Sequence, residues 1–344
     1  MFPDNISDLI LLLFSLSLSM SALFFSSSKS NNEFGAQKDI KSGAIRLFIH
    51  SLSTLAFIIV IYDNWSHMAL VSFYNVYELR FQARDSAGGA FSGYLTMWLS
   101  ICFLPYYMTT GILNKNKLRI IVAVIIAVTV YMTNGSKSTL LLPFIILGLY
   151  YFIKLSKCYF LLNLMVVMSV VSLFMLSLDN QDYQMTKAIF FMRVLATPGW
   201  TLVTYYDYFS HNFFTYYTHV SFINSLTGAY PYGDHSLGQM IGYKYSNSYD
   251  ANFNANFWSS DGLAALGILG ILPATVMMMV IVLLIDKASK YYNSIFVSLW
   301  FTGFWMTLLN APLSTSLLSG GGLIIMFALY LSRLIISRKQ QAVD

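Results

Sequence analysis

The stretch Leu263-Ala-Ala-Leu-Gly-Ile-Leu-Gly-Ile-Leu-Pro-Ala-Thr-Val-Met-Met-Met-Val-Ile-Val-Leu-Leu-Ile285 contains no charged side chain. A helix of about 20 apolar residues crosses a hydrocarbon core of roughly 30 Å, so this run is long enough to span a bilayer. Comparable apolar segments lie at 6–25, 47–62, 94–112, 120–132, 139–153, 159–178, 295–309 and 322–336. Together they make nine, an odd number, which would put the two termini on opposite sides.

The rest of the composition agrees. Of 344 residues, 57% are hydrophobic and 10% charged, with a mean hydropathy of +0.61. A soluble domain carries about 25% charged residues, so this chain has too few for a water-facing surface. The whole of 1–344 therefore reads as a single all-α polytopic membrane domain. Its net charge of +5 does not point to nucleic acid, because the basic residues fall in short clusters between apolar segments. Cys102 and Cys158 show no metal-ligand or redox spacing. No Lys or Arg precedes the first apolar run, so that run is expected to be a retained helix rather than a secretory signal. Asp4 and Asp8 suit an external N-terminus.

Orientation follows from Lys and Arg, which accumulate on the cytoplasmic side. Connections on one side hold Lys29, Lys38, Lys41, Arg46, Lys115, Lys117, Arg119, Lys154, Lys157, Lys287, Lys290, Arg333, Arg338 and Lys339, fourteen of the 20 basic residues. The other side holds Arg80, Arg84, Lys137, Lys187, Arg193 and Lys244. That outer side carries two long loops, 63–93 and 179–261. Loops of this length are usually functional or disordered, and the second is too rich in Tyr, Phe and Trp for disorder. Met185, Ala188, Ile189, Met192, Leu195 and Ala196 recur at helical spacing, predicting an amphipathic surface helix broken at Pro198-Gly199. The aromatic run 205–217 is expected at headgroup depth.

The segments 120–132 and 139–153 look short. Fourteen helical residues rise about 21 Å, less than the hydrocarbon core, so the turn Asn134-Gly-Ser-Lys-Ser138 between them is expected below the outer headgroups.

Outward-facing cations are disfavoured, so those present are candidates for an anionic partner. Arg80 and Arg84 are four residues apart and share one face of a helix. Paired guanidinium forks suit phosphate oxygens, although Glu78 and Asp85 are alternative partners. Lys137 in its Gly-containing turn and Arg193 beside the amphipathic helix complete a candidate anion-binding set. Asp234 and His235, after Pro231-Tyr-Gly233, are the candidate acid–base pair; loop capping is the alternative. His211 and His219 are expected to be structural. Asn256, Trp258 and Asp261 offer amide hydrogen bonds and ring stacking to a carbohydrate, while Asp261 equally fits the N-cap of the following helix. Gly267 and Gly270 allow close helix packing. No metal-ligand spacing and no nucleotide-binding glycine loop is present in the sequence, so neither metal nor cofactor is expected.

Asn254-Ala-Asn-Phe-Trp-Ser-Ser-Asp-Gly-Leu-Ala-Ala-Leu-Gly-Ile-Leu-Gly270 after a large external loop resembles the O-antigen polymerase (Wzy) family. So do Asn134-Gly-Ser-Lys-Ser-Thr-Leu-Leu141 between two helices and Arg193-Val-Leu-Ala-Thr-Pro-Gly-Trp200. The resemblance implies about 9–11 transmembrane helices, a large periplasmic loop with amphipathic helices, and a C-type glycosyltransferase-like architecture in the bacterial inner membrane. It implies an enzyme that joins undecaprenyl-pyrophosphate-linked repeat units at the periplasmic face, extending O-antigen or capsule chains. Arg80, Arg84, Lys137 and Arg193 would then hold the pyrophosphates of donor and acceptor. Asp234 or His235 would be the base, and Asn256, Trp258 and Asp261 would line the glycan path. Membrane lipids and a chain-length regulator protein would be its partners, and nucleic acid would not. An O-antigen ligase and a lipid-linked oligosaccharide flippase are the alternatives.

Overall fold

The chain is described by a computed structural model covering residues 6–28, 37–72, 76, 79, 90–156, 160–178, 184, 187, 191–192, 197–253, 257–309 and 311–341. Among the described residues every extended regular element is helical. An isolated bridge pairs Gln37 with Tyr292. The helices are α1 (Ile6–Ser28), α2 (Gly43–Asn64), α3 (Ala90–Trp98), α4 (Leu104–Leu113), α5 (Lys117–Asn134), α6 (Lys137–Ser156), α7 (Phe160–Ser177) and α8 (Thr197–Phe209). They continue as α9 (Ser221–Thr227), α10 (Leu237–Ser246), α11 (Phe257–Leu266), α12 (Ile271–Ser289), α13 (Ser294–Trp300), α14 (Thr302–Leu308), α15 (Leu313–Leu317) and α16 (Gly322–Gln341). Each of the nine apolar segments coincides with helix.

Among the described residues, four stretches are long and apolar enough to cross a membrane: Gly43–Asn64, Lys117–Asn134, Lys137–Leu155 and Ile268–Ser289. Shorter apolar helices cover Ser7–Leu23, Leu162–Ser177 and Gly322–Ile335. The case for lipid rests on what these helices leave uncovered. In α5, Ala123, Ile126, Ala127 and Val130 form the buried stripe, yet Leu118, Ile121, Val124 and Ile125 on the outer surface are apolar too. A helix apolar all round belongs inside a large core or a bilayer. Most described residues of α7 behave the same way, with Leu162, Met165, Val170, Leu173 and Phe174 all exposed.

The expected shortness of the fourth and fifth segments is corrected. α5 has 18 residues and α6 has 20, rising about 27 and 30 Å. Polar end residues extend both helices beyond their apolar runs. Asn116 caps α5 by accepting from the Arg119 amide at 3.3 Å. Gly135 ends it in the left-handed region at φ 63°, its amide reaching Tyr131 O at 2.8 Å. A Cβ there would lie 2.6 Å from Val76 Cγ1.

By contact density the chain forms two units. The first comprises 1–29, 153–282 and 308–313; the second comprises 30–152, 283–307 and 314–344.

In the second unit, α3 and α4 form one continuous rod through a π-helical turn at Leu99–Phe103. Trp300 packs on this rod and donates from Nε1 to Cys102 O at 3.0 Å. Gly303 sits so close that a Cβ would be 2.6 Å from Ile101 O. The basic connections meet at one end of this unit. Arg119 pairs with Asp39 at 2.6 Å, Asn293 N donates to Gln37 O at 2.8 Å, and Arg333 donates to Lys287 O at 2.8 Å. Because α2, α5 and α16 have their basic residues at that end, Asn64, Asn134 and Gly322 lie at the other.

The first unit is built on an aromatic core. Tyr205, Tyr208 and Phe209 of α8 pack with Leu237 and Ile241 of α10, Leu263 and Ala264 of α11, and Leu12 of α1. In the first part of the aromatic run, rings spaced three and four apart on α8 face protein. Tyr206 donates to Asp8 Oδ2 at 2.9 Å, tying α8 to the start of α1. Pro198-Gly199 lies in the first turn of α8, where the chain has no use for the amide that proline lacks. The predicted amphipathic helix at 185–196 lies largely outside the described residues. The segment at 263–285 bends at Gly267, whose φ of 69° and ψ of −157° exclude a side chain. Beyond it, Gly262 and Gly270 touch: a Cβ on Gly262 would be 2.5 Å from Gly270 O. The close packing expected of Gly270 is present.

Candidate functional site

Hydroxyl spacing on the helix rod of the second unit creates a polar wall. Ser92, Thr96 and Ser100 are four residues apart, so they share one face. They line a cavity of about 650 Å³ together with Asn64, Thr133, Asn134, Ser136, Ser138, Thr139, Thr307, Thr315 and Ser319. This lies in the size range of small-ligand sites. It sits at the end of the unit opposite the basic connections. Ser100 and Ile101 reach it from the π-helical turn, a distortion that is frequent at functional sites.

Local hydrogen bonds fix the cavity walls. Asn64 Nδ2 donates to Val60 O at 2.7 Å and to Ser92 Oγ at 3.3 Å. Ser136 Oγ caps α6 by accepting from the Thr139 amide at 3.4 Å, and contacts Thr139 Oγ1 at 2.9 Å. Asn134 Oδ1 accepts from Ser136 N at 2.9 Å. Lys137 is thus the first residue of a helix rather than the centre of a loop; it is half-buried, and it is its chain neighbours Ser136 and Ser138 that line the cavity.

A second polar cluster lies buried in the first unit. His219 Nε2 is 3.1 Å from Asp261 Oδ1, and His219 Nδ1 is 2.7 Å from Thr215 Oγ1. Thr215 Oγ1 donates its own proton to Ala264 O at 3.0 Å, so it is a lone pair of that oxygen that faces His219 Nδ1. The N-cap reading of Asp261 is corrected: it lies inside α11, which starts four residues earlier. Its carboxylate turns inward to an imidazole instead of back to its own helix. The loop carrying His219 seals the end of α11, with Thr215 N donating to Ala264 O at 2.8 Å and Tyr216 N to Ala265 O at 3.1 Å. Tyr216 and Tyr217 hold left-handed backbone at φ 47° and 64°, sparsely populated for aromatic residues. Tyr217 Oη and Ser260 Oγ are buried without a hydrogen-bond partner among the described residues. Burial, and next the Asp261 carboxylate, push the Tyr217 hydroxyl above its usual pKa.

Asp207 is the anchor of a third group. Lys244 Nζ and Tyr245 Oη both donate to its Oδ2 at 2.6 Å. The Lys244 hydrogen bond, then that of Tyr245, hold the Asp207 carboxyl below the ordinary carboxylate range. Lys244, one of the outward cations, is therefore engaged inside its own unit.

The candidate acid–base pair divides. Asp234 is exposed and His235 half-buried. The His235 ring lies flat on Tyr249, centroids 3.9 Å apart and 4° from parallel, and Tyr249 stacks in turn on Tyr243 at 4.3 Å. Asp261, assigned to the glycan path, is instead buried against His219. Arg80, Arg84, Arg193 and Asn256 lie outside the described residues, as does the side chain of Trp258. The hydroxyl face of 92, 96 and 100 was missed in the sequence. Its signal was there, a four-residue repeat of Ser and Thr inside an apolar segment.

No family model, curated protein or solved structure matches the chain.

Proposed function

We propose that this protein is a membrane glycosyltransferase that extends a polysaccharide from undecaprenyl-pyrophosphate-linked repeat units. The observation that carries the reading is the cavity walled by hydroxyls and amides beside Lys137, at the end of its unit opposite the basic connections. On the positive-inside rule the basic end is cytoplasmic, and the cavity opens to the periplasmic side of the inner membrane. A glycan offers many hydroxyls, which the hydroxyls and amides of this lining can pair with, while Tyr94, Met97 and Ile101 of the same lining suit the C–H faces of its rings.

The reaction needs no nucleotide sugar. An acceptor hydroxyl oxygen bonds to the anomeric carbon of the donor, the bond from that carbon to the pyrophosphate oxygen breaks, and the hydroxyl proton passes to a base. Asp234 and His235 remain the proposed source of that base. The departing pyrophosphate carries its own charge, which cations stabilise most where water is scarce. Lys137 at the start of α6 is suited to this, and Arg80, Arg84 and Arg193 are proposed to join it.

Purified full-length protein in detergent, mixed with lipid-linked repeat units, is the test. A ladder of longer lipid-linked chains supports the reading, and intact substrate after binding removes it. In cells, loss of a polymerase leaves single repeats on the lipid core, whereas loss of a ligase leaves polymer on its carrier.

One observation favours a flippase instead: among the described residues the cavity lining includes no carboxylate and no imidazole, which suits passage without chemistry. Proteoliposomes that move lipid-linked repeats across the bilayer without lengthening them select that reading.

A further inference from the structure

We infer that the buried wall of the cavity recognises its ligand as a hydrogen-bond donor, through Thr96, Ser100, Thr133 and Thr307. The inference rests on the reading of the cavity as a glycan site. Each of these hydroxyls already donates its proton to a carbonyl of its own helix. Thr96 Oγ1 donates to Ser92 O at 2.9 Å, and Ser100 Oγ to Thr96 O at 2.8 Å. Thr133 Oγ1 donates to Val130 O at 2.8 Å, and Thr307 Oγ1 to Gly303 O at 2.9 Å.

A hydroxyl has one proton and two lone pairs. With the proton committed to the helix, only lone pairs remain for the cavity. Such back-bonding is a local option open to Ser and Thr in helices, and inside an apolar segment there is little water to compete for it. The four oxygens are held in fixed register, because each rides on a helix turn. Three of them, on Thr96, Ser100 and Thr133, are buried.

An acceptor wall selects among ligands. A carboxylate, or the diesterified pyrophosphate of a lipid-linked sugar, offers no proton at neutral pH and would meet lone pairs with lone pairs. A divalent cation would meet acceptors but needs carboxylates to balance its charge, and none lines the cavity among the described residues. An uncharged sugar ring meets the wall with several O–H donors at once. The pyrophosphate of a lipid-linked substrate is accordingly excluded from this wall, which takes the sugar end.

The distinguishing probes are methyl hexopyranosides and their deoxy and deoxyfluoro analogues, bound to the full-length protein in detergent and followed by saturation-transfer NMR. Replacing a hydroxyl by fluorine removes its donor but keeps an acceptor. At ring positions that face the wall, both analogues are expected to bind about tenfold more weakly than the parent, the scale of one lost hydrogen bond. The Thr96→Val/Thr133→Val variant is expected to lose the same factor and to stop distinguishing the parent from its fluoro analogue. Thr307→Val, at a less buried position, gives a smaller loss and serves should the double variant fail to fold. Fluoro analogues that keep full affinity at every position overturn the inference, as do unchanged affinity in the folded variants and the absence of hexoside binding altogether. Chain extension from lipid-linked repeats is measured separately. Extension that ignores the variants sinks the acceptor wall and spares the polymerase, whereas hexoside recognition without extension does the reverse.

Discussion

The imidazole of His219 and the carboxylate of Asp261 meet at 3.1 Å across 42 positions of sequence, their side chains only 4% and 8% exposed. Their hydrogen bond closes the 214–220 loop onto α11. An acid buried to this degree depends on its partner, because an unpaired carboxylate away from water is costly. Neither group is open to a ligand, so their part is to hold the 214–220 loop and α11 together.

Asp261→Ala is therefore expected to lower the thermal unfolding midpoint in detergent by several degrees. The lost hydrogen bond and the orphaned imidazole cost about 1–3 kcal/mol. Asp261→Asn keeps an acceptor for Nε2 and should fall between the two. An alanine variant that melts with the native protein would show that the pair contributes nothing.

Gly262 gives a sharper steric test. A methyl group there would sit 2.5 Å from Gly270 O and 2.7 Å from Ile271 N. Both are backbone atoms and cannot rotate away. Overpacking of this kind costs roughly 1–3 kcal/mol. Gly43→Ala is the control, since a Cβ at that position meets nothing within 4 Å, and its midpoint should not move.

The sequence reading located the long apolar helices of the described residues because a run of hydrophobic residues needs no tertiary information. It misplaced the helix ends for a physical reason: caps such as Asn116 and Gly135 are polar or neutral, and a hydropathy count stops before them. Asp261 escaped for a different reason. An acid just before an apolar run has the look of an N-cap, and only the fold shows that His219 is brought to it. The cavity was hidden because its residues are neutral. A search for charge found Lys137 but passed over the threonines and serines beside it.

Acid should weaken the first unit through Asp207. Its carboxyl titrates below its ordinary value because Lys244 and Tyr245 both donate to it. A group whose folded pKa is depressed stabilises fully above its unfolded pKa, near 3.9 for Asp, and that contribution is lost as pH falls through the lower folded value. Unfolding midpoints measured from pH 5 down to pH 2.5 should thus drop more steeply for the native protein than for Asp207→Asn. Parallel curves would remove the Asp207 contribution. Lys244 and Asp207 are each about a third exposed, so added salt should shrink the difference.

Lys137 tests the proposed chemistry most directly. It begins α6 between Ser136 and Ser138 of the cavity lining, where the aligned peptide dipoles of the helix add to its positive charge. An ammonium that stabilises a departing pyrophosphate acts on charge that grows as the bond breaks, so its loss should slow extension rather than weaken substrate binding. Lys137→Ala is expected to reduce the extension rate about tenfold or more and to shift the ladder toward short chains at equal protein level. Lys137→Arg keeps the charge and should recover much of the length. Should both variants give the native ladder, the pyrophosphate is held by other residues. Should the arginine variant fail as badly as alanine with the midpoint unchanged, the shape of the ammonium, not its charge, is what the site uses.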